Sequence, residues 1–403
     1  MKNNKKSVLF VIPSLSTGGA EKSLWGLLKY FDYDKYDVDV YPYCARGEYA
    51  DTLDKRVNIL DNNKLHNDMF NKSLGASFKT LFRQGHIYLA VLRIIWGLLP
   101  SIHKLFHKEY HRNSNLDWYI ERKTMQKNKK HYDVAIGYME GGSNYYIVDC
   151  IDADKKIGWI HTDYSTTHPN VYLEKTRLKK CAAIVTVSEN SKREILKLMP
   201  EFEDKIHIIP NVIDAEKINK LKMLPAEEMK DTDDLKLVSV GRLVKLKGFD
   251  ICIDAAALLK ADGIKFKWYI IGGGEEKDAL QNQINALKLN DCCYLTGSTD
   301  NPYAYVNKAD ICVQMSAFEG RGMVVDEAQY LLKPIIASNI GAFNELITHE
   351  KTGIIVERNK DSLYDAIKVL SLNKDLQNDI IENLKEIRLD DKEIVKTAER
   401  LIE

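Results

Sequence analysis

The sequence predicts an α/β protein made of two parallel-sheet domains, on three observations. Strand-like apolar runs alternate with helical stretches through the first half, at Ser7–Pro13, Asp37–Tyr43, Asp133–Tyr138, Lys156–Ile160 and Ala182–Val187. That alternation implies parallel strands joined by right-handed crossovers. A second series of the same kind opens at Leu235–Val240, and 403 residues suffice for two ordinary domains.

Composition narrows the function before any motif does. Lysine plus arginine and aspartate plus glutamate both number 58, so no global basic field points to nucleic acid, and any polyanion surface must be local. The seven cysteines, Cys292-Cys293 among them, show neither metal-ligand spacing nor disulfide-scaffold density, which fits a reducing compartment. Met1 to Lys6 lead directly into the first strand with no signal-peptide core, so the expected location is cytoplasmic.

In chain order, the strand at Ser7–Pro13 is followed by a turn holding Gly18-Gly19 and a helical pattern over Glu21–Phe31. This is the opening of a dinucleotide-type fold, although the glycines lack the Gly-x-Gly-x-x-Gly spacing and a plain tight turn reads equally well. Residues 79–131 differ in character. They hold eleven lysines and arginines against three acids, an excess of eight, and within them His86–Pro100 is apolar except for a stripe of His86, Ala90, Arg93 and Gly97. The run is shorter than the roughly 20 residues that cross a bilayer and has Arg93 near its middle. Two readings stay open: a buried helix, or an interfacial helix with a polybasic flank attracted to anionic lipid by about 1 kcal/mol per well-placed cation.

His161, in Trp159-Ile-His-Thr-Asp163, ends a strand, where side chains project into the crevice of an open α/β sheet. Ile206–Asp214 reads as the connection between domains, and Leu221–Asp234 as an exposed loop. After the strand at Leu235–Val240, Gly241-Arg-Leu-Val-Lys-Leu-Lys-Gly248 puts Arg242 and Lys247 at the edge of the second sheet. A guanidinium fork and an ammonium there can neutralise a diphosphate; a solvated basic loop is the simpler reading. Lys267–Ile271 and Gly272-Gly273-Gly274 repeat the strand and glycine turn. The centre of the pattern is Phe318-Glu-Gly-Arg-Gly-Met-Val-Val-Asp-Glu327, between an apolar strand at Ala309–Ser316 and a helix over Met323–Leu332. Glu319 falls in a glycine-rich loop and Glu327 on the first turns of the helix. Amides at such a helix start cradle phosphate, and carboxylates beside them accept hydroxyl hydrogen bonds; alone, the two acids could equally complement the helix dipole. Helices are expected over Asp361–Leu370 and Lys374–Ile402.

The spacing of Glu319 and Glu327 resembles the Glu-x7-Glu motif of family 4 retaining glycosyltransferases (glycosyl transferases group 1). The family's downstream pattern follows in order at Pro334–Ser338, Gly341, Glu345–Ile347 and Lys351–Val356. Gly18-Gly19-Ala20-Glu21, Trp159-Ile-His-Thr-Asp163, Pro210-Asn-Val-Ile-Asp214 and Gly241–Gly248 also resemble family segments, so the likeness covers nearly the whole chain. It implies the GT-B arrangement of two facing Rossmann-like domains with a central cleft. Residues 1–210 would bind acceptor and carry the 79–131 insert, residues 211–385 would bind a nucleotide sugar, and residues 386–403 would form a helix returning to the first domain.

By the same resemblance, Glu319 would hold the donor sugar and Glu327 the ribose. His161 would face the transferred sugar, and Arg242 and Lys247 the diphosphate. The amides of Gly320, Arg321, Gly322, Met323 and Val324 would complete the phosphate cradle, with Gly18 and Gly19 near phosphates and acceptor. Gly272, Gly273 and Gly297 would line the base pocket. Arg321 stands where the family often has an aromatic or small residue, which suits either an acidic donor sugar or a solvent-facing side chain. No cofactor or metal is expected: Asp37-Val-Asp39 lies within a strand, leaving Asp152-Ala-Asp154 as the open alternative. The implied function is retaining transfer of a sugar, with UDP as the expected carrier, to a glycan or lipid-linked acceptor in bacterial surface-polysaccharide synthesis, at the inner face of the membrane. A GT-B nucleotide-sugar epimerase and a non-catalytic sugar-binding scaffold are the competing readings.

Overall fold

The computed structural model describes residues 5–16, 18–60, 64–106, 115–125, 128–167, 169–229, 232–387 and 389–403. The chain divides into two units. One comprises Met1–Val187, Ser191–Val212 and Lys392–Glu403; the other comprises Ser188–Asn190 and Ile213–Asp391.

The first unit contains strands β1 (Lys6–Ser14), β2 (Tyr36–Ala45), β3 (Asn58–Ile59), β4 (Tyr132–Gly137), β5 (Ala153–Ile160), β6 (Ala183–Thr186) and β7 (Ile206–Ile208). They form a seven-stranded sheet in the order β3-β2-β1-β4-β5-β6-β7, parallel throughout. Its central strand shows why the sequence reads as a continuous apolar run. Val8 to Ile12 are wholly buried, with Val8, Phe10 and Ile12 packed into one core and Leu9 and Val11 into another. Alternate side chains point to opposite faces, and helices cover both.

The second unit contains β8 (Leu235–Val240), β9 (Phe266–Ile271), β10 (Cys293–Gly297), β11 (Ile311–Gln314), β12 (Ile335–Ser338) and β13 (Ile354–Val356). This six-stranded parallel sheet has the order β10-β9-β8-β11-β12-β13. In each sheet the order reverses beside the first strand of the unit, between β1 and β4 and between β8 and β11. Crevices at the carboxyl ends of strands open at such switch points.

Two expectations need correction. Ile206–Ile208 is not connection but β7, an edge strand of the first sheet paired with β6; three residues carry too little pattern to be told from a linker. The last helical stretch is two helices, Lys374–Lys385 and Asp391–Ile402. The break lets Asp391 accept the amides of Ile213 at 3.0 Å and Ala215 at 2.7 Å. Beyond it, Val395, Ala398 and Ile402 enter the core around Phe10, and Glu399 accepts the amide of Asp32 at 2.7 Å.

The segment between β3 and β4 is helical, with helices Lys64–Phe70, Leu74–Arg83, Ile87–Phe106 and Asn115–Arg122 around a small core of Met69, Leu81, Leu89, Ala90, Leu92 and Ile120. It thus begins before residue 79, and the long helix continues past Pro100. None of the helices among the described residues is long and apolar enough to cross a membrane.

Candidate active site

In the second unit the loops after β8, β9 and β10 are laced together by backbone. Gly241 N–H donates to Ile271 O at 2.9 Å, Leu243 N–H to Gly273 O at 2.8 Å and Gly272 N–H to Gly297 O at 2.9 Å. Gly272 permits this closeness: it has φ 150°, and a Cβ there would lie 1.9 Å from Gly241 O. A side chain would push the two strand ends apart. Beside Arg242 the loops after β8 and β9 form an open pocket of about 310 Å³ lined by Arg242, Val244, Leu246, Gly274 and Glu275. Arg242 is exposed and has no ion-pair partner among the described residues.

Lys247 reaches the switch point between β8 and β11. Its ammonium forms an ion pair with Glu319, on the loop after β11. Both side chains are about four-fifths buried. Ser316 Oγ donates to the same Glu319 oxygen at 2.8 Å, and Ser338 Oγ donates to Ser316 O at 2.6 Å, so the carboxylate is held from both strand ends. The loop ends at Gly322, whose left-handed φ of 94° turns the chain into helix Met323–Tyr330. The amides of Met323 and Val324 precede the first intrahelical hydrogen bond, the position at which a helix start can hold an anion. Glu327, one turn along, is buried.

Arg321 does not face solvent. Its Nε and Nη2 donate to the two carboxylate oxygens of Asp326 at 2.8 and 3.1 Å, and Asp326 is itself buried. Burial raises the Asp326 pKa to about 6, with Arg321 pulling it down. The pair clamps the loop to the first turn of the helix, a positioning role that the spacing of the two glutamates did not disclose. Gly273 faces Ser298, and Gly297, at a left-handed φ of 83°, ends β10.

In the first unit Gly18 precedes helix Gly19–Lys29, and Ser14 Oγ donates to Glu21 Oε1 at 3.1 Å across the same turn. His161 follows β5. Its amide donates to Glu140 Oε2 at 2.9 Å, and its ring lies parallel to Trp159 and near Tyr138. Both imidazole nitrogens are buried, and neither forms a hydrogen bond with a described residue; Asn211, its own oxygen unpartnered, lies beside the ring. Burial lowers the His161 pKa to about 3, against a smaller upward pull from Asn211, so the imidazole is neutral at pH 7. Sequence reasoning missed Glu140, whose carboxyl burial pushes up in pKa while the His161 amide pulls it down. Its signal was the acid at the end of Asp133–Tyr138, just before Gly141-Gly142.

The structure therefore brings Lys247, Glu319 and the Gly320–Glu327 stretch together within one unit, with Arg242, Gly272, Gly273 and Gly297 on the neighbouring loops. Gly18, Gly19 and His161 are features of the other unit. A fixed cation, a carboxylate and a row of amides suit a diphosphate that carries a hydroxylated group.

Residues 222–387 match the family of glycosyl transferases group 1. The matched residues lie within the second unit. An uncharacterized glycosyltransferase of Methanocaldococcus jannaschii is 25% identical over 349 residues, covering 84% of this chain and 75% of the relative. The Campylobacter jejuni N-acetylgalactosamine-N,N'-diacetylbacillosaminyl-diphospho-undecaprenol 4-alpha-N-acetylgalactosaminyltransferase is 33% identical over 187 residues; the match covers 45% of this chain and about half of that protein, 49%. Among solved structures, Anabaena HepE in complex with UDP and glucose superposes with a TM-score of 0.69 at 18% identity, over 98% of this chain and 99% of that one. At that identity the likeness establishes the fold: two parallel-sheet Rossmann-like domains of GT-B type.

Proposed function

We propose that the protein is a retaining, metal-independent hexosyltransferase that moves a sugar from a UDP-sugar to a hydroxyl of a glycan or lipid-linked acceptor in bacterial surface-polysaccharide assembly. The observation that carries the reading is the Lys247–Glu319 ion pair, buried at the switch point of the second sheet beside the Gly320–Val324 amides. As the bond from the anomeric carbon to the diphosphate breaks, its electron pair goes to the phosphate oxygen while the sugar becomes oxocarbenium-like. Preorganised donors at that developing charge are usually the largest catalytic contribution. Lys247, Arg242 and the turn amides are those donors, which makes a metal unnecessary. Glu319 binds sugar hydroxyls and Glu327 the ribose; Gly272, Gly273 and Gly297 leave room for the base. The acceptor hydroxyl attacks the same face that the phosphate leaves, and its proton passes to the departing phosphate oxygen. By the family resemblance, His161 would hydrogen-bond the transferred sugar, and Gly18 and Gly19 would serve the phosphates and acceptor.

The named activities of the Campylobacter relative and the UDP bound by Anabaena HepE support a UDP donor and a lipid-diphosphate acceptor here. A cytoplasmic protein meeting the inner face of the cell membrane through residues 79–131 belongs to the same reading. The test is a panel of nucleotide sugars scored by thermal stabilisation and donor hydrolysis, since a ligand that binds only the folded state raises its stability. One UDP-sugar should stabilise the protein and be turned over with the anomeric configuration kept. Stabilisation by none of the panel, inversion, or an epimer formed from donor alone would refute the proposal.

A further inference from the structure

Over residues 87–98, helix Ile87–Phe106 is apolar on its outward side as well as its inward one. Inward, Leu89, Ala90 and Leu92 join the small core, Arg93 is buried beside them, and a Cβ on Gly97 would touch Leu74 at 3.0 Å. The Arg93 guanidinium lies 5.0 Å from the centre of the Trp96 ring and donates to Lys72 O at 3.2 Å. Six further large apolar residues point outward. Ile87, Tyr88, Val91, Ile94, Ile95 and Leu98 are between 36% and 56% exposed, at the spacing of a single helical face. Placing six such side chains in water is costly, and a contiguous apolar stripe of this kind marks an interaction surface.

The surroundings of the stripe say what covers it. Lys64, Lys79, Arg83 and Lys123 are exposed, as is Lys72, which pairs with Asp68. Across described residues 64–98 and 117–125, every exposed charged residue is basic; Asp68 and Asp117 are buried, and Glu121 is partly covered. This asymmetry stands out in a chain whose charges cancel. The exposed Tyr88 and Tyr119 hydroxyls meet at 3.2 Å, and Arg122 and Lys123 each lie 5.2 Å from the Tyr119 ring. That combination forms an amphipathic rim suited to a lipid–water boundary. A second copy of this chain would fit less well, because a two-fold interface would set one basic rim against the other.

We infer that the outward face of helix Ile87–Phe106 docks on the surface of an anionic bilayer, lying in the plane of the interface without crossing it. An apolar face held by burial and by basic flanks is the pattern of such attachment. The inference rests on the membrane contact of the proposed function and narrows it to one helix face and to anionic lipid; its test uses no nucleotide sugar, so it can fail while the transferase reading stands.

The experiment is flotation of the full-length chain with vesicles of phosphatidylcholine alone or with about one-third phosphatidylglycerol, at low and high salt. The protein should float with the anionic vesicles and partly dissociate as salt rises. Val91→Glu with Ile95→Glu should reduce partitioning by at least about tenfold. Lys79→Gln with Arg83→Gln should reduce it by about fivefold for each charge removed. Both variants change exposed residues and should keep the wild-type thermal melt. Absence of flotation, equal partitioning to both vesicle types, or Val91→Glu/Ile95→Glu binding like wild type would overturn the inference. So would a dimer in sedimentation equilibrium that those substitutions dissociate, because it would assign the face to a second copy.

Discussion

Replacing Lys247 with alanine separates a structural from a catalytic role for the ion pair at the switch point. Lys247 and Glu319 are each about four-fifths buried, and Ser316 Oγ is the other donor to the shared Glu319 oxygen. Without the ammonium that carboxylate keeps one neutral hydrogen bond and loses its counter-charge. Stranding a fully buried charge costs about 3–5 kcal/mol; with one donor left and some solvent access, about 1–2 kcal/mol is expected. For a unit of this size that lowers Tm by about 2–4 °C per kcal/mol. The catalytic loss should be larger. Removing one preorganised donor from a developing anion costs about 3–4 kcal/mol, or roughly 10²–10³ in turnover. The assay is kcat/KM for UDP-sugar consumption at a temperature where the variant is fully folded, alongside UDP affinity. Lys247→Arg should recover part of both by restoring a cation. Turnover and UDP affinity within about threefold of wild type in a folded Lys247→Ala protein would refute the assignment of this ammonium to the diphosphate.

Gly272→Ala should destabilise the second unit by about 2–3 kcal/mol, read as a shift in denaturation midpoint, because its Cβ would stand 1.9 Å from Gly241 O. Glu174 is fully buried, accepts from Tyr145 at 2.6 Å and has its pKa raised to about 7, chiefly by desolvation. Its folded pKa exceeds its unfolded one, so its stabilising contribution is complete below about pH 4.5 and is lost as pH rises through about 7. Glu174→Gln, which keeps an acceptor for Tyr145, should reduce the decline in unfolding free energy between those limits by about 3 kcal/mol; an unchanged pH profile would remove Glu174 as the cause. Exhaustive treatment with EDTA should leave transferase turnover unchanged, and restoration of lost activity by a divalent cation would contradict the metal-independent mechanism.

Much of the architecture was legible because it is written in local periodicity. The apolar runs at Ser7–Pro13 and Leu235–Val240, each followed by glycines and a helical pattern, correspond to β1 and β8, the first strands of the two sheets. The Glu319 to Glu327 spacing likewise put one acid on the loop and the other on the helix. Short elements were not legible. β3 has two residues and β7 three, too few for a period to show, and their strand character comes from hydrogen bonding to β2 and β6.

The sequence by itself determined the longer strands, the glycine turns and the helix starts, because backbone preference and side-chain periodicity act over a few residues. It also determined the chemical types available at the strand ends: Arg242, Lys247, Glu319, Glu327 and His161. Tertiary structure alone decided their partners. Lys247 meets a carboxylate 72 positions away because β8 and β11 are neighbours in the sheet, and strand order leaves no trace in local pattern. It also decided that Arg321 turns to Asp326 and that helix Ile87–Phe106 buries Leu89 and Leu92 while leaving Val91 and Ile95 uncovered. Periodicity defines two faces of a helix; which one is covered depends on what the rest of the chain packs against it.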